Sequence, residues 1–202
     1  MAFKVTALIV AATTIQVAIG AANADESVLY GDAPPRDAVF VRLLGESHNG
    51  KFEINGHELK QPDGAQAAYL AISAAALGLT ETGTFHSLLT DAKGQQVAVK
   101  EPSERTNAKV HLFLINADET PARLVVPNRD VEVIAQTGRM EIGTRSVNPI
   151  RTPLAVQRGD DGEVIGSFDV SLSRGQNITF LVQQGQVTII ENRFGPVIEP
   201  TG

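Results

Sequence analysis

From Ala38 onward, short runs of β-branched and aliphatic residues, each closed by turn-forming residues, recur at the spacing of β-sandwiches and barrels, and nothing else in the sequence constrains the fold as strongly. Ala38 to Leu44, Thr84 to Leu89, Gln95 to Lys100, Lys109 to Ile115, Ala122 to Val126, Val131 to Ala135, Arg151 to Gln157, Glu163 to Leu172, Asn177 to Val182 and Gln186 to Ile190 all read as strands. Asn55-Gly56 separates Lys51 to Ile54 from His57 to Leu59, and its preference for positive φ suits a tight hairpin. Lys93-Gly94, Asp161-Gly162, Arg174-Gly175 and Gln184-Gly185 divide other apolar runs in the same way. Within Glu163 to Leu172, Gly166 is expected to be a bulge or a packing notch. Asp63 to Gly78 is the exception, because its Ala and Leu content with a cap-like Asp and a terminal Gly resembles a helix. Its all-β surroundings favour a strand at Ala68 to Ser73, then a loop or a single helical turn.

Composition bounds the chemistry. The 202 residues contain no Cys, which removes disulfide staples, thiol catalysis and zinc fingers. Aromatic residues make up only 5%, so the core must be mostly Val, Ile, Leu and Ala. With 17 Lys plus Arg against 23 Asp plus Glu, the formal net charge is −6, and such a surface gains nothing from counterion release on nucleic acid. No nucleic-acid partner is expected.

The first residues have the grammar of an export signal. Met1 to Lys4 is a short basic start, Val5 to Ile19 an apolar run, and Ala22-Asn23-Ala24 the small-x-small pattern that a signal peptidase accepts. Cleavage is expected after Ala24, with no membrane span left afterwards. Polar Glu101 to Ala108, which contains Pro102, divides the remaining strand signals into two groups. The expected architecture is therefore all-β: a signal peptide over residues 1–24, then two tandem antiparallel β-sandwich modules of the Ig-like kind, over residues 25–104 and 105–202.

A search for catalytic or ligating constellations returns little. Nucleophilic catalysis needs a hydroxyl beside a His that a carboxylate orients, and no Gly-x-Ser-x-Gly elbow occurs. Gly45-Glu46-Ser47-His48 superficially resembles the Gly-Asp-Ser block of triad esterases and acetyltransferases, yet none of His48, His57, His86 or His111 follows an Asp at the three-residue spacing those enzymes use. The four His are scattered singly, and neither phosphate-loop nor dinucleotide glycine patterns appear. No metal and no cofactor are expected. Tyr30 and Tyr69 are too few for a sugar-stacking platform. Arg123, Arg129, Arg139, Arg145, Arg151, Arg158, Arg174 and Arg193 could hold an anionic polysaccharide, but their scatter equally describes solvated strand faces.

Leu29-Tyr30-Gly31-Asp32-Ala33-Pro34-Pro35, followed by Phe40-Val41-Arg42, resembles the start of mature members of the AlgF family of periplasmic alginate O-acetylation proteins. Leu112-Phe-Leu-Ile-Asn116 and Val147-Asn148-Pro149 are similar to the second half of that family. The resemblance implies a two-module β-sandwich protein of the periplasm, needed for acetyl groups to reach exopolysaccharide hydroxyls in biofilm formation, with no catalytic centre of its own. It implies as partners a membrane-bound O-acyltransferase and a periplasmic acetyltransferase. Prolines pre-set an extended segment and lower the entropy lost on docking. Leu29, Tyr30, Pro34 and Pro35, with Arg42 on the strand behind them, are accordingly the expected partner-binding residues. Two competing readings are an acetyl carrier or transferase using a Ser ester, with Ser47 as the candidate, and a two-domain periplasmic chaperone of the pilus type.

Overall fold

A computed structural model describes residues 33–45, 51–90, 93–102, 105–127, 129, 131–159 and 161–201. The expected signal peptide, Leu29, Tyr30 and Ser47 lie outside the described residues. In chain order the strands are β1 (Ala38–Leu44), β2 (Phe52–Ile54), β3 (His57–Leu59), β4 (Tyr69–Ser73), β5 (Phe85–Thr90), β6 (Gln96–Glu101), β7 (Val110–Asn116) and β8 (Ala122–Val126). They continue with β9 (Val131–Thr137), β10 (Glu141–Val147), β11 (Arg151–Arg158), β12 (Glu163–Ser171), β13 (Asn177–Gln183), β14 (Gln186–Glu191) and β15 (Phe194–Val197). The fold is all-β. The ambiguous segment resolves into strand β4 followed by a single 3-10 turn, Ala75–Leu77, which Gly78 closes in the left-handed conformation. No helix among the described residues is long and apolar enough to cross a membrane.

Three large sheets are stacked. The first has the order β15-β4-β1-β5-β6, the second β10-β7-β13-β14 and the third β12-β11-β8-β9. Alternation along β1 decides how the first sheet packs, because successive side chains point to opposite faces. Val39, Val41 and Leu43 enter an outer core with Phe52, Ile54 and Leu59 of the β2–β3 hairpin and Leu77 of the 3-10 turn. The hairpin turns at Asn55-Gly56, both at positive φ (51° and 82°), as its sequence requires. The opposite face of the first sheet meets the second through Leu44, Leu89, Ile115 and Leu181. The second and third sheets enclose a further core, with Leu112, Leu114, Leu124, Val156, Phe180 and Val182 all at 1% exposure or less. Each such side chain contributes about 1.5–3 kcal/mol by leaving water. β7 is covered on both faces, and every residue in it is buried.

The first and second sheets are mixed, whereas the third is antiparallel throughout. β5 lies parallel to β1, and β13 parallel to β7; in each case the intervening chain places some strands in another layer and one, β4 or β10, antiparallel on the other side of the first strand. The first half is also not a pair of comparable sheets: it supplies four strands of one five-stranded sheet and a two-stranded hairpin that packs on it. Although residues 105–202 were expected to form the second module, β15 leaves it and pairs parallel with β4 of the first sheet. Gly195 permits this close approach, since a Cβ there would stand 3.1 Å from the Ala68 Cβ and 3.2 Å from the Leu70 Cδ2.

Candidate functional site

The face of β1 that looks toward the second sheet carries Phe40, Arg42 and Leu44. Arg42 is wholly buried. Its Nε donates to Glu101 Oε1 at 2.9 Å and to Ser87 Oγ at 2.8 Å, and its Nη1 donates to Thr179 Oγ1 and Asn192 Oδ1, both at 2.8 Å. Glu101, 2% exposed at the end of β6, also accepts from Ser87 Oγ at 2.6 Å, from the Tyr69 hydroxyl at 2.6 Å and from Arg105 Nη2 at 3.0 Å. Burial pushes the Tyr69 phenol well above its ordinary value, so it donates to Glu101 as a neutral hydroxyl. Each of these residues comes from a different strand or segment. The charge pair is thereby joined to both sheets, and desolvation makes it unforgiving of a missing member.

Aromatic rings close over this network. The Arg105 guanidinium carbon lies 3.9 Å from the Phe85 ring centroid, 5.0 Å from that of Tyr69 and 5.1 Å from that of Phe113, a three-sided box drawn from both sheets. Segment 101–108, expected to be a linker, is pinned at Glu101 and Arg105. Farther out, Phe40 stacks on Phe85 with centroids 4.9 Å apart, and Phe194 meets Phe40 edge-on at 5.3 Å. Phe40 and Phe85 are partly exposed, and Phe194 is 65% exposed. The result is a row of phenylalanines across β15, β1 and β5, open to solvent on one side and anchored to the buried ion pair on the other.

Of the residues expected to bind partners, Pro34 is exposed and Pro35 half-buried. Arg42 needs correction: at 0% exposure it cannot touch another molecule, because its charge is spent on Glu101. Phe85, Glu101, Arg105, Asn192 and Phe194 were not singled out from the sequence. One signal pointed toward them: β1 is apolar on both faces except for Arg42, which implies a doubly covered strand whose charge must meet a carboxylate. The arginines considered for polysaccharide binding are spread over several elements, Arg151 and Arg158 sharing β11, and several of them are engaged. Arg158 pairs with Glu163 at 2.6 Å, Arg139 with Glu119 at 3.4 Å, and Arg123 donates to Gln157 at 3.0 Å.

Two hydroxyls lie against imidazoles among the described residues: Thr84 Oγ1 is 2.9 Å from His86 Nε2, and Ser146 Oγ is 3.0 Å from His111 Nδ1. The Thr106 amide hydrogen points at His111 Nε2 from a nitrogen 2.9 Å away, which makes Nε2 an acceptor even though the Thr106 carbonyl is within 3.2 Å. The ring proton then sits on Nδ1 and is donated to Ser146, so this imidazole is not placed to remove the hydroxyl proton. No group of three or more potential metal ligands occurs among the described residues.

Compared with known proteins, the chain is 24% identical over 184 residues to the alginate biosynthesis protein AlgF of Pseudomonas aeruginosa, covering 85% of this chain and 84% of that one. Over 199 residues it is 25% identical to AlgF of Azotobacter vinelandii, with 92% and 85% covered. The likeness to AlgF spans most of the chain. A further AlgF protein, from Pseudomonas syringae pv. tomato, is 24% identical over 168 residues, covering 77% and 75%. A solved structure of the C-terminal domain of AlgF from P. aeruginosa aligns with 42% of this chain and 96% of that domain, at 21% identity and a TM-score of 0.36. No protein-family model matches the chain. The AlgF proteins are named for alginate biosynthesis, the process the opening motif of this chain pointed to.

Proposed function

We propose that this chain is a non-catalytic adaptor in the O-acetylation of an exopolysaccharide, alginate or a similar polymer, working in the periplasm after loss of residues 1–24. Its partners on this reading are a membrane-bound O-acyltransferase and a periplasmic acetyltransferase, which it brings together without carrying the acetyl group itself. The observation that carries the reading is the open row of Phe194, Phe40 and Phe85 in a chain with so few aromatics. Aromatic residues and arginine are the side chains enriched where proteins grip one another, and here the ion pair beneath holds the row rigid before any partner arrives. Leu29, Tyr30, Pro34 and Pro35 keep their assignment to partner contact, whereas Arg42 acts from below as a positioning residue.

Exchanging Phe194 for Ser in the producing strain tests this. Acetyl content of the polymer should fall while polymer yield and the level of the protein hold; unchanged acetylation at normal protein level counts against it. Incubating the purified protein with an activated acetyl ester tests the carrier alternative, because a persistent acetyl adduct on one serine would replace the adaptor reading.

A further inference from the structure

Away from the aromatic row, the paired second and third sheets leave a cavity of about 320 Å³ at one end of their core. Leu112, Leu154 and Leu172, all buried, are among the side chains that line it, and Val131 and Ile150 line it too at 50% and 53% exposure. These two are among the few large apolar side chains that the described residues leave in water. The cavity is mostly aliphatic, without an aromatic ring in its wall, and its volume falls at the lower edge of the ~300–1,000 Å³ typical of small-ligand sites. Polar chemistry is confined to three lining residues: Arg129, Asn148 and Thr152. Arg129 is exposed. Lys109 Nζ donates to Asn148 Oδ1 at 2.7 Å, which fixes the amide and leaves its nitrogen as a donor. Asn148 and Pro149 belong to the Val147-Asn148-Pro149 motif, which the aromatic row does not use.

We propose that this cavity is a binding site for an aliphatic chain with an anionic head, such as a medium-chain carboxylate. The tail occupies the space bounded by Leu112, Leu154 and Leu172, and the head is held by the Arg129 guanidinium and the Asn148 amide. An apolar cavity alone would accept any oily group; a cation and an amide donor among its lining residues select for negative charge. The assignment is independent of the adaptor reading.

Titrating the mature chain with sodium octanoate, below the concentration at which it forms micelles, and following the methyl resonances of the valines tests the site. Saturable one-to-one binding is expected, with shifts confined to the cavity, and with octan-1-ol binding more weakly and octylammonium more weakly still. Arg129→Gln should weaken octanoate about tenfold or more, as for loss of a charge-assisted hydrogen bond, and leave octan-1-ol unchanged. Val133→Phe, which fills the cavity, should abolish binding of both; Tm measured on each variant separates loss of the site from loss of the fold. Failure of octanoate to saturate, shifts that map elsewhere, or equal affinity for octylammonium overturns the proposal. So does the finding that Val133→Phe weakens a protein partner while octanoate does not bind, since the cavity would then take a partner's side chain.

Discussion

Glu101 accepts from Arg42, Ser87, Tyr69 and Arg105, so a carboxylate withdrawn from water has its lone pairs filled by the protein. Removing Arg42 leaves the buried Glu101 with Arg105 as its remaining cationic partner and takes the hydrogen bonds from Nε and Nη1 with it. Arg42→Met should destabilise the fold by about 3–5 kcal/mol, whereas Arg42→Met combined with Glu101→Leu should recover most of that loss; denaturant melts of the two variants provide the comparison. Tyr69 gives a second handle. Its phenol titrates above its ordinary value of 10.0, chiefly because it is buried. The stability tied to its proton is therefore complete below that value and is lost as pH rises above it, where the unfolded chain ionises first. In a Tyr30→Phe background, which leaves Tyr69 as the sole tyrosine, phenolate absorbance should rise only together with unfolding. A simple titration near pH 10 with the fold intact would contradict this. Arg42 was legible in the sequence as a residue of the first strand. Its partners were not, because Glu101 is 59 residues away and Thr179 137, and local patterning carries no information across such distances.

Strands with their own apolar periodicity were legible at the level of elements, and β1 and β8 fall where their sequences put them. Two strands that borrow their stability from neighbours were not anticipated. β10 is mostly exposed and polar, and it forms because all seven of its residues pair with β7. β15 contains a Gly and a Pro and exists by addition to the edge of the first sheet. Gly166 fits both roles foreseen for it. The β11–β12 register shifts beside its partner Val156, and a Cβ on Gly166 would stand 2.9 Å from the Phe168 ring and 3.0 Å from the Val187 Cβ. Gly166→Val should cost about 1–3 kcal/mol by overpacking, read as a lower Tm. An unchanged Tm would contradict close packing of β12 against β14.

For the whole molecule, the stacking of three sheets converts two groups of strand signals into one continuous body, with β15 and Arg105 as its ties. This arrangement gives the phenylalanine row a rigid base, and it explains why the sequence did not disclose the row. Phe40, Phe85 and Phe194 lie in three strands far apart along the chain and become a surface only after β15 has added to the first sheet. The opening Leu-Tyr-Gly to Phe-Val-Arg block pointed to the family, and in the folded chain its Phe40 belongs to the row and its Arg42 to the support beneath. The most direct test of the adaptor account is the affinity of the purified chain, without residues 1–24, for a periplasmic acetyltransferase, the proposed partner, with and without Phe40→Ser and Phe194→Ser, at matched Tm. The account predicts saturable binding by the unaltered chain and a loss of at least tenfold in the double variant, as expected when aromatic anchors are removed. Equal affinity of the two proteins, or no binding by either, would contradict it.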